Sequence, residues 1–181
     1  QDGKFLPARA RLATLDLDRK ATKAKAIIAL NEIIKESRFQ PEARNALAEL
    51  ALEVRDWSLA LKHSRNVLLG DPGNVNAYLN MAVAYYRQRL YDQAFLILKQ
   101  AMERAPKAAA LHNMKGLIYL AKDNSRLASE SFLQAIKHDP GQLDALINLA
   151  SLELSYGDFA AAEKRFKTVL ERRPNDPNVV L

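Results

Sequence analysis

A period of 34 positions runs through this chain of 181 residues and limits what it can fold into. Alanine recurs at this spacing, at Ala26, Ala60, Ala94, Ala128 and Ala162. Proline keeps the same spacing in a second register, at Pro72, Pro106, Pro140 and Pro174. A fixed period of this length is typical of repeat proteins, in which each short unit buries its apolar face against its neighbours.

Each repeat predicts two helices. Residues four and seven positions after the alanine are mostly apolar, as Leu98 and Ala101 are after Ala94, and this spacing places them on one helical face. The proline that follows ends the helix, because it lacks an N–H group and disfavours helix in the preceding residue. An earlier amphipathic segment, with Met81 and Tyr85 in one repeat, supplies another helix. The unit is therefore predicted to be a helix hairpin.

This hairpin resembles the tetratricopeptide repeat (TPR). The signature places of residues 75–108 hold Tyr78, Met81, Ala82, Tyr85, Tyr91, Ala94, Leu98, Ala101 and Pro106. The resemblance implies an all-α fold, a right-handed superhelical solenoid of antiparallel helix hairpins. Hairpins rich in alanine that end in Asp-Pro or Arg-Pro resemble those of bacterial members of the family.

The resemblance divides the chain into four complete repeats with a partial one at each end. We predict TPR units at residues 41–74, 75–108, 109–142 and 143–176, after a basic N-terminal segment with a degenerate or partial repeat at 1–40. Residues 177–181 begin a truncated further repeat, so we expect the chain to be part of a longer protein or its last helix to be covered by a partner. Lys115 and Glu153 stand where bulky residues are usual, and each is expected to reach solvent or to meet a partner.

One stripe of residues on each first helix makes no predicted contact within its own hairpin. The resemblance implies that it lines the concave groove in which TPR proteins bind peptides and partner segments. We call it the groove stripe, and its members are Asn45, Glu49, Leu52, Leu79, Asn80, Val83, Tyr86, Asn113, Leu117, Leu120, Ile147, Asn148 and Ser151. These residues suit an apolar or amphipathic segment, and the Asn amides could bond the backbone of an extended ligand. In the alternative, part of the stripe, with Ala46, Met114 and Leu154 beside it, packs against the neighbouring repeat.

One subclass of the family holds a C-terminal carboxylate with Lys, Asn and Arg on successive first helices. The five matching places hold Asn45, Glu49, Asn80, Ala110 and Met114 in one register. Only the asparagine of the clamp is retained, at Asn80, and none of the five places holds Lys or Arg. We therefore exclude binding of a chaperone tail through this clamp.

No set of residues predicts catalysis, a cofactor or a metal site. The chain has no Cys, and its three His residues, His63, His112 and His138, lack the paired spacing of metal ligands. The sequence has no glycine-rich phosphate loop. We therefore predict a scaffold or adaptor that is not an enzyme, takes no cofactor and no small-molecule substrate, and binds a protein or peptide segment.

The charge of the chain leaves other functions open. Its formal net charge is +6, and residues 1–25 carry seven basic and three acidic side chains. Docking of this segment on nucleic acid or anionic membrane is one alternative, although nucleic-acid binders usually concentrate Lys and Arg along one surface of the fold, whereas here the excess lies at one end of the chain. A regulatory role within a larger enzyme and self-association through an uncapped end are others. By analogy with bacterial TPR proteins we expect a role in an envelope, secretion or motility assembly, with the compartment open between cytoplasm and periplasm or envelope.

Small side chains are predicted to meet where the two helices of a hairpin cross, Ala82 with Ala94 and Gly116 with Ala128. Exchange of Ala94 or Ala128 for Leu is therefore expected to lower the free energy of unfolding by roughly 1–3 kcal/mol through overpacking. Thermal denaturation of each variant measures this loss. An unchanged melting midpoint would show that the predicted hairpin register is wrong.

Overall fold

The computed structural model describes residues 5–17, 21–174, 176, 177 and 179, and within these it contains ten α-helices and no β-strand. In chain order the helices are α1 (Leu6–Leu15), α2 (Lys23–Glu36), α3 (Pro41–Glu53), α4 (Trp57–Gly70), α5 (Val75–Arg87), α6 (Tyr91–Arg104), α7 (Ala109–Ala121), α8 (Ser125–His138), α9 (Leu143–Ser155) and α10 (Phe159–Arg172). The chain divides into two compact units, Gln1–Ile97 and Leu98–Leu181, called unit 1 and unit 2 below.

Consecutive helices pack against one another as hairpins within each unit. In unit 1, α1 packs against α2 and α3 against α4; in unit 2, α7 packs against α8 and α9 against α10. The first helices of successive hairpins also touch, α1 with α3 and α3 with α5 in unit 1, and α7 with α9 in unit 2. The predicted all-α class, an array of helix hairpins, is therefore confirmed.

The turn inside the hairpin has one backbone conformation that recurs with the period. Four residues spaced 34 positions apart have a positive φ: Arg55, Arg89, Asp123 and Gly157. The residue after three of these caps the second helix by accepting a backbone N–H at 2.9–3.1 Å: Asp56, Asn124 and Asp158. The left-handed residue reverses the chain, and the cap satisfies an N–H that the first turn of the helix leaves unpaired.

The periodic prolines stand just beyond the second helices. Each comes two residues after the last residue of its helix: Pro72 after α4, Pro106 after α6, Pro140 after α8 and Pro174 after α10. Because the residue before a proline disfavours helical backbone, these second helices end in the same register. Pro41 instead opens α3, at a position where the missing N–H costs no hydrogen bond.

The periodic alanines lie in the core. Ala60, Ala94, Ala128 and Ala162 are each 0% exposed. In unit 2, the ring of Phe132 fills the space beside Gly116, and a Cβ on that glycine would lie 2.4–2.8 Å from three ring atoms. Glycine is therefore required in α7 by the close approach of Phe132, since no side chain fits between them.

The core of α9 and α10 continues past the end of α10. Val179 is buried there and packs in one cluster with Phe166 and Val169. Of the predicted further repeat at 177–181, Asn178, Val180 and Leu181 lie outside the described residues.

Three unlike side chains share one structural role at the start of the first helices. Arg44, Tyr78 and His112 stand at the same place of successive repeats, in α3, α5 and α7. Each donates to the carbonyl oxygen six residues earlier: Arg44 Nε to Arg38, Tyr78 Oη to Pro72 at 3.3 Å, and His112 Nε2 to Pro106 at 2.8 Å. The residue type varies because any donor of suitable reach can satisfy this loop carbonyl.

His63 of α4 is buried against Arg44 in unit 1. Its Nδ1 lies 3.3 Å from Arg44 Nη1, and only 7% of His63 is exposed. Because the guanidinium can only donate, Nδ1 must be the unprotonated acceptor. Burial, together with the positive charges of Arg44 and Lys62, lowers the pKa of His63 from 6.5 to about 4.

We expect this histidine to make the protein less stable in mild acid. Between about pH 6.5 and pH 4 the unfolded chain binds a proton at His63 that the folded protein excludes, so stability falls as the pH falls. A folded pKa of about 4 corresponds to a loss of about 2 kcal/mol between pH 7.5 and pH 5. Urea denaturation over this range measures the loss, and His63→Gln should flatten it. Equal slopes for the two proteins would contradict a buried neutral His63.

The contact at Gly116 gives a second prediction for stability. Gly116→Ala is expected to lower the free energy of unfolding by roughly 1–3 kcal/mol, because the buried Phe132 must move, although alanine favours helix more than glycine does. Gly73→Ala is the control, since its Cβ would meet only Asp71 Oδ1, at 3.7 Å. Thermal denaturation compares the two, and a loss that is no larger for Gly116→Ala would exclude the close contact.

Candidate partner-binding groove

The groove stripe of unit 1 lies on the neighbouring first helices α3 and α5. A cleft of about 580 Å³ opens along them, called the α3–α5 cleft below. Three members of the groove stripe line it: Glu49, Leu52 and Val83. Its other lining residues, which the sequence pattern did not single out for the groove, are Glu53, Arg55, Trp57 and Arg87. Trp57, the first residue of α4, is half-buried and forms part of the cleft wall.

The groove stripe of unit 2 lies on α7 and α9 around a similar cleft. This α7–α9 cleft has a volume of about 530 Å³. Five members of the groove stripe line it: Asn113, Leu117, Ile147, Asn148 and Ser151. Asp144 completes the lining and was not predicted as a groove residue. The shared register of the repeats therefore brings the same helix face to a cleft in both units.

Most apolar members of the groove stripe are neither fully buried nor fully exposed. Those in this class are Leu52, Leu79, Val83, Tyr86, Leu117, Leu120 and Ile147. Tyr86 lies beside Tyr91 with ring centroids 5.7 Å apart, and Leu117 and Leu120 pack against the core of α8 and α9. Of the residues expected to pack against a neighbouring repeat, Ala46 and Met114 are buried, whereas Leu154 is 41% exposed. The stripe thus supports the repeat packing and still presents apolar surface.

The asparagines of the groove stripe bond mainly within the protein. Asn45, Asn80 and Asn113 are all buried. Asn45 Nδ2 donates to Asn74 Oδ1 at 3.1 Å, and Asn80 Nδ2 lies 3.5 Å from the Asn45 carbonyl oxygen. In unit 2, Asn148 Nδ2 donates to Asn113 Oδ1 at 2.9 Å, which joins α9 to α7. Because these bonds occupy much of their capacity, the amides tie neighbouring helices together rather than face a ligand with all their groups free.

Glu49 stands at the meeting point of two clefts in unit 1. Its side chain as a whole is exposed, but the surroundings of its carboxyl group are partly shielded from water. This desolvation raises the pKa of Glu49, and the charge of Glu53 adds to the effect, while a hydrogen bond from Asn80 opposes it. The carboxyl group therefore lies where a further negative charge is disfavoured and a positive one is favoured.

The second cleft is bounded by α1, α3 and the loop between α4 and α5. We call it the α1–α3 cleft; its volume is about 680 Å³. Asn45 and Glu49 of the groove stripe line it, together with residues that were not predicted for the groove: Arg11, Thr14, Leu15, Pro41, Glu42, Ala46, Asp71, Asn74 and Asn76. The period contained a signal for α1, because Leu15 stands one full period before Glu49.

The two charged residues of unit 2 that depart from the TPR pattern, Lys115 and Glu153, contact other side chains of the same unit. Glu153 of α9 accepts from Arg165 Nε of α10 at 2.8 Å through both carboxylate oxygens, and both side chains are mostly buried. Lys115 Nζ lies 5.7 Å from the centroid of the Tyr119 ring, one turn further along α7. These charges are therefore accommodated within the hairpins, without a ligand.

The basic N-terminal residues of the described part of the chain are partly paired. Arg9 forms a bidentate ion pair with Glu36, at 2.8 and 2.9 Å, and Lys23 pairs with Glu53 at 2.7 Å. Arg11 and Lys25 are exposed. The other basic residues of the N-terminal segment, Lys4, Arg19 and Lys20, lie outside the described residues.

The described residues contain no cluster of three or more His, Asp or Glu that could hold a metal ion. Nor does any of the described helices combine the length and the apolar character needed to cross a bilayer. The rings of His112 and His138 lie with their centroids 5.0 Å apart and their planes tilted by 35°. Burial lowers the pKa of His138, and the charges of His112, Lys137 and Lys107 act in the same direction.

Solved structures share this fold. A thermophilic TPR protein from Thermus thermophilus superimposes with a TM-score of 0.80 at 26% identity, over 94% of this chain and 93% of that one. The structure of PilF from Pseudomonas aeruginosa superimposes with a TM-score of 0.75 at 20% identity, over 93% of this chain and 76% of that one.

The sequence relatives are longer proteins, and the match covers only a part of each. The type IV pilus assembly protein PilF of Pseudomonas aeruginosa is 25% identical over 97 residues, which are 54% of this chain and 36% of that protein. Serine/threonine-protein phosphatase 5 of Rattus norvegicus is 27% identical over 92 residues, which are 51% of this chain but only 18% of the phosphatase. The sequence profile named tetratricopeptide repeat matches residues 51–118 and 119–180. This chain therefore belongs to the tetratricopeptide repeat family, whose fold is typically a non-catalytic module for protein–protein interaction.

Proposed function

We propose that this protein is a scaffold or adaptor that binds an apolar or amphipathic segment of a partner protein along the groove stripe. The observation that carries the proposal is the position of Val83 and Leu117. They occupy the same place in the period, line a cleft in each unit, and remain half-exposed there. A partner side chain that enters either cleft would remove this apolar surface from water, which favours binding.

The shape of the clefts along the groove stripe supports recognition of a segment rather than a small molecule. The α3–α5 cleft and the α7–α9 cleft each lie along a pair of first helices, and their walls mix aliphatic side chains with charged and amide groups. Such a surface suits an amphipathic helix or an extended strand, which presents apolar side chains at regular intervals.

The relatives suggest the kind of setting in which the segment is presented. Likeness to a protein named for type IV pilus assembly supports a role within a multiprotein assembly, and an envelope, secretion or motility assembly is our proposal for it. Likeness to part of a protein phosphatase favours a second candidate, in which the repeats regulate a larger enzyme. In either setting the groove stripe is the proposed contact surface.

Charged substitutions in the groove stripe provide the test. Val83→Arg/Leu117→Arg is expected to weaken partner binding by at least about 30-fold, the equivalent of about 2 kcal/mol, because each arginine is placed in an apolar contact. Leu69→Arg/Leu133→Arg adds the same charges on the exposed surface of α4 and α8 and should bind as the wild type does. Pull-down from the source lysate with identification by mass spectrometry compares the three proteins, after each is shown to melt near the wild type.

The controls separate the alternatives. Partners retained by the wild type and the control, and lost by the groove variant, would support the proposal. Equal capture by all three proteins would contradict it and place the contact elsewhere. Capture that disappears with residues 1–25, or falls steeply as salt rises, would favour docking through the basic N-terminal segment.

A further inference from the structure

We propose that the α1–α3 cleft of unit 1 binds a lysine or arginine side chain of the partner segment. This inference rests on the proposed function, since the segment that lies along the groove stripe would carry the basic residue. It adds a basic side chain to the apolar side chains that we propose the groove stripe binds.

The charge of the cleft is opposite to that of the chain. Three carboxylates line it, those of Glu42, Glu49 and Asp71, and Arg11 is the one basic residue among the lining residues that the structure describes. The whole chain, by contrast, has a formal net charge of +6. A local concentration of negative charge in a basic protein selects for a cation at this place.

Two oxygens at the cleft lack hydrogen-bond partners within the part of the chain that the structure describes. They are Glu42 Oε2 and Asn45 Oδ1, and each exposes less than 1 Å² to solvent. Asn45 as a whole is 8% exposed and lines the cleft. An acceptor left without a donor destabilises the free protein, so a donor that enters the cleft and reaches either oxygen would gain more there than at a hydrated surface. Lysine and arginine bring several N–H donors and accept none.

The walls of the cleft also suit the aliphatic part of a basic side chain. Leu15 of α1 is 68% exposed and lies at the cleft with Ala46 of α3. A lysine or arginine stem can pack on such apolar surface while its charged end reaches carboxylates. A small inorganic cation would use the oxygens and leave this apolar wall uncovered.

Glu49 joins this cleft to the α3–α5 cleft. It lines both the α1–α3 cleft and the α3–α5 cleft, where Leu52 and Val83 lie. One segment along α3 can therefore place an apolar side chain against Val83 and a basic side chain beside Glu42. Partial desolvation and the nearby Glu53 raise the pKa of Glu49, which agrees with a site where positive charge is favoured.

Selection from a random library of displayed 12-residue peptides tests the inference without a known partner. The wild type is expected to enrich peptides that carry apolar residues and one lysine or arginine at a fixed spacing from them. Glu42→Gln/Glu49→Gln should lose the preference for a basic residue, since it removes charge with little change of shape. Asp144→Asn is the matched control, because Asp144 stands in the same register as Glu42 but lines the α7–α9 cleft of unit 2.

A selected peptide then gives the size of the effect. Exchange of its basic residue for glutamine should weaken binding to the wild type about tenfold and leave binding to Glu42→Gln/Glu49→Gln unchanged. Enrichment of apolar residues without a basic one would overturn this inference and leave the proposed function standing. Loss of the basic preference in Asp144→Asn, or its persistence in Glu42→Gln/Glu49→Gln, would also overturn it. A library with no apolar enrichment would contradict both proposals.

Discussion

The close approach of two helices at small residues is the contact on which the rest of this structure depends. A buried alanine recurs at the same place of each period, and at Gly116 the ring of Phe132 fills the space that any side chain would need. Protein interiors are packed as densely as organic crystals. The size of the side chains between two packed helices therefore determines the distance between them. Repetition of this crossing sets the first helices α3 and α5, and α7 and α9, beside one another.

The clefts follow from this placement, and polar side chains maintain it. Asn148 bonds to Asn113 between α9 and α7, and Asn45 bonds to Asn74 at the start of α5. Amides buried between helices are costly unless they are paired, so these bonds favour one register of the neighbouring helices over others. These bonds hold the clefts of each unit in shape, which would lower the entropic cost of binding the segment that we propose. The two clefts of unit 1 share Glu49, and the α1–α3 cleft adds the carboxylates of Glu42 and Asp71.

Much of the fold and part of the candidate site could be predicted from the sequence. The alanine and proline registers predicted the hairpin, and the stripe between them predicted residues such as Val83 and Leu117 that line the clefts. The period did not reveal the cleft residues contributed by turns, such as Asp71. Leu15 of α1 shares the register of Glu49, but the first repeat departs from the signature, so the stripe was not extended to it. The position of the turn residues depends on how a loop folds back on the preceding hairpin, which the helical period does not encode.

The sequence by itself determined where helices begin and end, which face of each is apolar, and where helices must cross closely. These properties are local, because capping, proline geometry and a 3.6-residue period act within one repeat. Only the tertiary structure decided the partner of each polar side chain. It paired Glu153 with Arg165, placed His63 against Arg44, and buried three asparagines of the groove stripe. Such pairings join residues on different helices, and they depend on distances and angles between helices that no spacing along the chain specifies.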